Sequence, residues 1–128
     1  MASPLKGLRV LVVEDEALVA MMIETMLDDI GCIVVEVAGT VSRGLALVAD
    51  EALAVDGAIL DVNLGGEKVY PVAEALRARD VPFIFSTGYG IDGIAAEFAH
   101  VPALAKPYQQ AALEVMLASV LARPAAEH

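Results

Sequence analysis

The stretch that decides the fold is RVLVVEDEALV, residues 9–19. Its apolar half is long enough for a buried strand, and three adjacent carboxylates, Glu14, Asp15 and Glu16, follow it directly. The chain then returns at once to apolar residues. Neighbouring carboxylates repel one another, so we expect a cation at the end of this strand to offset the repulsion.

Working outward from this stretch, apolar strands alternate with helical patterns, which is typical of βαβ units and a parallel sheet. The predicted strands are Leu8–Val13, Cys32–Val37, Ala58–Leu60, Pro82–Ser86 and Val101–Ala105. The predicted helices are about 16–30, 40–50, 71–79, 91–99 and 109–121. We therefore predict an α/β fold, with a doubly wound parallel sheet in the order 2-1-3-4-5 and helices on both faces.

The composition fits one domain, which we predict over residues 1–123, with a C-terminal tail at 124–128. The formal net charge of −10 argues against direct binding to nucleic acid. Although 58% of residues are apolar, no uncharged run is long enough to span a membrane. The single Cys32 is expected to be a buried apolar residue. We expect a cytoplasmic protein that uses its apolar excess to contact a partner or a second copy.

The strand ends carry the side chains that indicate function. The first strand ends in Glu14 and Asp15, the third in Asp61, the fourth in Thr87 and the fifth in Lys106. In the order 2-1-3-4-5 these ends face one crevice, where such sheets place their sites. We therefore expect three carboxylates, a hydroxyl and an ammonium group to converge there.

This set of oxygen atoms suits Mg²⁺, or Mn²⁺ in its place. Asp15 and Asp61 are predicted as direct ligands, Glu14 as a ligand through water, and the backbone carbonyl of Asn63 as a further ligand. We expect the cation to offset the repulsion between the adjacent acids.

The predicted reaction is phosphoryl transfer to a carboxylate, with Asp61 as the nucleophile. Lys106 would place a positive charge on the phosphoryl oxygens, and Thr87 would donate a hydrogen bond from its hydroxyl group. Catalysis of this kind depends on positioning and on neutralising charge.

Four motifs resemble those of response-regulator receiver domains from bacterial two-component signalling: VVEDE, LDVN, STG and AKP, at residues 12–16, 60–63, 86–88 and 105–107. The resemblance covers the chain in order and spacing. It implies a flavodoxin-like (βα)5 fold and phosphorylation of Asp61, in a phosphorelay, by a histidine kinase or a histidine phosphotransfer protein. It also implies a Mg²⁺ requirement, slow self-dephosphorylation and a stand-alone signalling domain that acts on another protein.

Two positions depart from the usual receiver pattern. Glu14 stands where many receivers have aspartate. Ala103 stands three residues before Lys106, where many receivers carry an aromatic switch residue. Tyr89 and Tyr108 are candidate substitutes for that switch, and PFIFSTGYG partly resembles a receiver subclass with a Phe-Ala-Thr-Gly run in its fourth strand.

Two helices have apolar residues off their predicted core faces. In the first helix we assign Val19, Met22, Ile23, Met26 and Ile30 to the core. Ala17, Leu18 and Met21 then remain as a surface on which the phosphodonor is expected to dock. In the last helix Ala111 and Val115 indicate a second surface, for a target or a weak homodimer.

Three other functions stay open. A phosphate sink or shuttle would use the same chemistry without switching, and Ala103 favours it. A pseudo-receiver would be a binding module with a decayed site, against which the four reactive side chains argue. An enzyme acting on an external substrate is the least favoured, since only self-phosphorylation and slow self-dephosphorylation are expected.

Overall fold

Five parallel strands form one sheet in a computed structural model that describes residues 5–88 and 94–121. In chain order the strands are β1 (Arg9–Val13), β2 (Ile33–Ala38), β3 (Gly57–Asp61), β4 (Asn63–Leu64), β5 (Glu67–Lys68), β6 (Phe83–Thr87) and β7 (Ala103–Ala105). The sheet has the order β2-β1-β3-β6-β7, and β4 and β5 form a separate antiparallel pair. The predicted order 2-1-3-4-5 is confirmed, because β6 and β7 are the fourth and fifth parallel strands.

The described residues contain four α-helices. They are α1 (Ala17–Ile30), α2 (Val41–Ala49), α3 (Tyr70–Ala78) and α4 (Gln110–Leu121). Part of the predicted helix at 91–99 lies outside the described residues. From residue 94 onward that prediction was wrong, since only one turn of 3-10 helix forms, at Ala96–Phe98. The glycines before it disfavour a helix, and burial of the Phe98 ring fixes the segment instead.

Two helices cover each face of the sheet: α1 and α4 lie on one face, and α2 and α3 lie on the other. Val10 and Val12 of β1 point to the core that α1 and α4 cover, while Leu11 and Val13 point to the core beneath α2 and α3. This alternation follows from the two-residue period of a strand. Neither face of β1 meets water, which explains why its sequence is apolar without interruption.

Met22 in α1, which we assigned to the core, lies on the surface instead and is 54% exposed. Leu45 in α2, which helical spacing also predicts to be inward, is 36% exposed. Leu27, fully buried, is a core residue of α1 that the prediction lacked. Because α1 is apolar nearly all round, helical spacing alone does not fix which face is inside.

Local contacts determine where helix α2 and strand β3 begin. Thr40 caps α2, since its Oγ1 accepts a hydrogen bond from the backbone N–H of Arg43 at 3.1 Å. Gly57 begins β3 directly against α4. A Cβ atom at that position would lie 2.6 Å from Cδ1 of Leu121, so any residue larger than glycine would have to displace the Leu121 side chain.

An aromatic cluster holds the segment after β6 against α3. The rings of Tyr70 and Phe98 stack with centroids 5.2 Å apart, and the Arg77 guanidinium lies 4.5 Å from the Phe98 centroid. The Tyr70 hydroxyl accepts a hydrogen bond from the backbone N–H of Ala95 at 2.8 Å.

Within residues 5–88 and 94–121, no helix is long and apolar enough to cross a membrane.

Candidate functional site

The carboxyl ends of four neighbouring strands form the candidate site. Glu14 follows β1, Asp61 ends β3, Thr87 ends β6 and Lys106 follows β7. The first three are buried, with 3%, 6% and 2% of their surface exposed. Buried polar side chains at one edge of an apolar sheet need partners, and the carboxylates of Glu14 and Asp61 both have one in Lys106.

Lys106 joins the two buried carboxylates. Its Nζ donates to Glu14 Oε1 at 2.8 Å and lies 3.3 Å from Asp61 Oδ2. The Lys106–Pro107 peptide bond is cis, and the Lys106 N–H donates to the Thr87 carbonyl at 2.8 Å. The sequence predicted that three carboxylates, a hydroxyl and an ammonium group converge. The structure brings Glu14, Asp61 and Lys106 into contact, with Asp15 beside Glu14 and Thr87 at the end of the neighbouring strand.

The surroundings of Asp61 favour its neutral form. Burial raises the pKa of the Asp61 carboxyl to about 7, the negative charge of Glu14 acts in the same direction, and Lys106 opposes both. Burial by itself would lower the pKa of Lys106. Its hydrogen bond to Glu14 and the negative charges of both acids outweigh that effect, so the pKa of Lys106 is raised.

Asp15 and Glu16 are exposed beside the buried pair. The Asp15 Oδ2 atom accepts a hydrogen bond from the backbone N–H of Gly65 at 2.9 Å, and Glu14 Oε2 accepts one from the N–H of Glu16 at 3.1 Å. One carboxylate oxygen from each of the three consecutive acids lies within 4.8 Å of the others. These oxygens have the chemistry and spacing to hold a divalent cation.

The β4–β5 hairpin is a part of the site that the sequence analysis missed. It follows Asp61 directly, and the N–H of Asn63 points to Asp61 Oδ1 at 3.4 Å. Gly65 and Gly66 form its turn with φ values of +54° and +94°. Lys68 lies opposite Asn63 and donates from Nζ to its Oδ1 at 2.7 Å. The Gly-Gly pair was a usable signal, because such pairs favour two-residue hairpin turns.

Of the two candidate switch residues, the structure describes only Tyr108. Tyr89 lies outside the described residues. Tyr108 lines an apolar cavity of about 120 Å³ that also includes Met22 and Lys106. In the described part of the chain, its hydroxyl and the Ser86 hydroxyl are buried without a well-formed hydrogen bond. Burial raises the pKa of the Tyr108 phenol, and the nearby Ser86 hydroxyl opposes that shift.

Both predicted partner surfaces are exposed. In α1, Leu18 is 76% exposed and Met21 is 60% exposed, and Ala17 is also exposed. In α4, Val115 is 71% exposed and Ala111 is exposed. Large apolar side chains in such positions leave apolar area that a partner can cover.

Comparison with known proteins identifies the fold family. Residues 10–118 match the response regulator receiver domain family. No curated protein matched the chain. The solution structure of SdrG from Sphingomonas melonis Fr1 is 46% identical, with a TM-score of 0.78, and the match covers 91% of this chain and 97% of SdrG.

Two further solved structures are similar. The BeF3-activated conformation of SdrG from Pseudomonas melonis Fr1 is 46% identical, with a TM-score of 0.74, over 87% of this chain and 93% of that chain. The response regulator PhyR from Brucella abortus is 27% identical, with a TM-score of 0.77, over 90% of this chain and 48% of PhyR. This chain belongs to the response regulator receiver domain family, and is thus a signal-transduction domain of the two-component type.

Proposed function

We propose that this chain accepts a phosphoryl group on Asp61 from a histidine kinase or a histidine phosphotransfer protein, in a Mg²⁺-dependent reaction, and then signals by contact with another protein. The observation that carries the proposal is the pairing of Asp61 with Lys106 at 3.3 Å. A buried carboxylate held beside an ammonium group, with further acids next to it, is a nucleophile placed where negative charge is neutralised.

The residue roles follow from this arrangement. An Asp61 carboxylate oxygen attacks the phosphorus of the donor's phosphohistidine. A P–O bond to Asp61 forms, the P–N bond breaks, and the histidine nitrogen keeps the electron pair of the broken bond. Lys106 and Thr87 contact the oxygens of the transferred group, one through charge and the other through its hydroxyl. The chain acts on its own aspartate and on no external substrate.

The oxygen atoms at this edge fit Mg²⁺, and Mn²⁺ in its place. Asp15, Asp61 and the backbone carbonyl of Asn63 would hold the cation, with Glu14 acting through water. The buried Glu14 carboxylate, bound to Lys106 at 2.8 Å, is suited to such an indirect role. When bound, the cation neutralises charge on the phosphoryl oxygens.

The exposed apolar surfaces support the proposed partners. The α1 surface, formed by Ala17, Leu18 and Met21, lies next to the acidic residues and is proposed to receive the phosphodonor. The α4 surface, formed by Ala111 and Val115, is proposed to receive a target protein or a second copy in a weak homodimer. Phosphodonors of this kind are cytoplasmic, so the proposal places the chain in the cytoplasm.

One observation favours a second candidate, a phosphate sink or shuttle that does not switch. Ala103 of β7 pairs with Phe85 of β6. Many receivers carry an aromatic switch residue at the position of Ala103, and an alanine methyl group cannot replace the movement of that ring when Asp61 is phosphorylated. Tyr108 remains a candidate switch because its buried hydroxyl lies close to the site. The lifetime of the phosphoryl group, and any spectral change at Tyr108, would separate a switch from a sink.

The proposal is tested by intact-mass spectrometry after incubation with acetyl phosphate, with and without Mg²⁺. We expect one added phosphoryl group on the wild-type chain when Mg²⁺ is present, and none on Asp61→Asn. Asp80→Asn, which alters an exposed aspartate, is the control and should be phosphorylated normally. If the wild-type chain gains no phosphoryl group in any condition, the pseudo-receiver becomes the better description.

A further inference from the structure

Lys68 gives the Asp61 pocket a second cation that faces outward. We propose that Lys68 is a substrate-binding residue, which captures the anionic phosphate of the phosphoryl donor at the mouth of the pocket. This inference rests on the proposed function of Asp61 and assigns a role to a residue outside the four receiver motifs.

The hairpin holds Lys68 in place. Lys68 and Asn63 are directly opposite each other in the β4–β5 pair, and the Lys68 Nζ donates to Asn63 Oδ1 at 2.7 Å. The N–H of Asn63 in turn points to Asp61 Oδ1 at 3.4 Å. These contacts and the length of the asparagine side chain put the Lys68 ammonium within about 11 Å of the Asp61 carboxylate, about one Debye length at 0.1 M salt.

The two lysines at this edge have different surroundings. The Lys106 side chain is only 17% exposed and contacts two carboxylates, so its charge is already paired before a donor arrives. Lys68 is exposed, and its hydrogen bond is to a neutral amide oxygen. Among the described residues, no carboxylate oxygen lies within 4.0 Å of its Nζ. Its positive charge is therefore available to an incoming anion.

The charge balance of the site explains why such a cation is needed. When Asp61 is ionised, as its attack on phosphorus requires, four carboxylates, those of Glu14, Asp15, Glu16 and Asp61, stand against the ammonium group of Lys106. A chain of net charge −10 repels a phosphate dianion in solution. A bound divalent cation and Lys68 together would supply the remaining three positive charges, which would let the dianion approach.

The test compares the initial rate of phosphorylation by low concentrations of acetyl phosphate in wild type and in Lys68→Met, at saturating Mg²⁺. For a dianion about 7 Å from the ammonium, we expect the variant to be about threefold slower at 0.1 M salt. The difference should rise to about fivefold at 0.01 M and nearly vanish at 1 M. Lys6→Met removes the same charge before β1, at the opposite edge of the sheet, and should leave the rate unchanged.

Mg²⁺ affinity supplies a readout that a structural role would not reproduce. Loss of a positive charge weakens the capture of an anion but strengthens the binding of a cation. We therefore expect Lys68→Met to bind Mg²⁺ about twofold more tightly, as measured by titration calorimetry without a donor. A variant that merely distorted the hairpin would bind both the anionic donor and Mg²⁺ more weakly.

Lys68→Arg keeps the charge and should restore both the wild-type rate and the wild-type Mg²⁺ affinity. The inference is overturned if wild type and Lys68→Met react equally fast at 0.01 M salt, or if Lys68→Met also binds Mg²⁺ more weakly. It is overturned equally if Lys6→Met slows the reaction as much as Lys68→Met does. A wild-type chain that gains no phosphoryl group would instead contradict the function proposed for Asp61.

Discussion

The proposed phosphoacceptor should lower the stability of the metal-free protein. Asp61 is 6% exposed, and its burial and the charge of Glu14 raise its pKa to about 7. Asparagine has nearly the same shape and carries no charge. We therefore expect Asp61→Asn to be more stable than wild type at alkaline pH and about equally stable in mild acid.

The size of the effect follows from the difference in pKa between the two states. Aspartate in the unfolded chain titrates near 3.8, whereas the folded pKa is about 7. Between these values the folded protein keeps a proton that the unfolded chain has released, so stability falls as pH rises. The loss is about 1.4 kcal/mol per pH unit, on the order of 4 kcal/mol in all, and is complete above about pH 7.

Urea denaturation followed by circular dichroism, with EDTA and at constant salt, measures this difference. We expect the gain from Asp61→Asn to be near 1 kcal/mol or less below about pH 4.5 and to level off near 4 kcal/mol at about pH 8. Asp29→Asn, at an exposed site on α1, removes the same formal charge and should change stability by less than about 0.5 kcal/mol.

A gain that is the same at about pH 5 and about pH 8 would refute this reasoning, because it would show that the Asp61 proton does not distinguish the folded state from the unfolded state. A loss of stability at about pH 8 would refute it more strongly. It would mean that the attraction between Asp61 and Lys106 outweighs burial and the repulsion from Glu14.

Three more predictions follow from single contacts. Mg²⁺ should raise the melting temperature of wild type, EDTA should reverse this, and Asp15→Asn should abolish most of the rise in differential scanning fluorimetry. Gly57→Ala should lower the free energy of unfolding by about 1–3 kcal/mol in urea denaturation, because its Cβ would meet Leu121. The double variant with Leu121→Ala should lose less stability than the sum of the two single variants, and full additivity would contradict the contact. Tyr70→Phe should cost about 1–2 kcal/mol by leaving the N–H of Ala95 without its acceptor, and an unchanged stability would show that water replaces the hydroxyl.

The sheet order and the central site were predictable because they depend on short-range patterns. Apolar strands of the right length alternate with helical segments, and parallel strands align their carboxyl ends. Asp61 and Lys106 were therefore expected at the same edge of the sheet, on strands separated by one other strand, if the order 2-1-3-4-5 was correct. Their separation of 3.3 Å adds the contact itself, which no sequence pattern supplies.

The missed features leave no clear periodic pattern in the sequence. Met22 fits a helical core stripe, but tertiary packing turns a different face of α1 inward. The hairpin after Asp61 has strands of only two residues, too short for a periodic signal. Lys68 acquires a role only because that hairpin brings it opposite Asn63.

The alternation of side chains along β1 has a consequence for which mutations this strand can tolerate. Glu14 follows four residues that alternate between the two cores, and Asp15 continues the same alternation toward the hairpin. Deleting one residue from β1 would exchange the side chains of both cores and, in the same event, move Asp15 to the position of Glu14 and Glu14 into the strand. We therefore expect the protein to tolerate substitutions in β1 more readily than a deletion there.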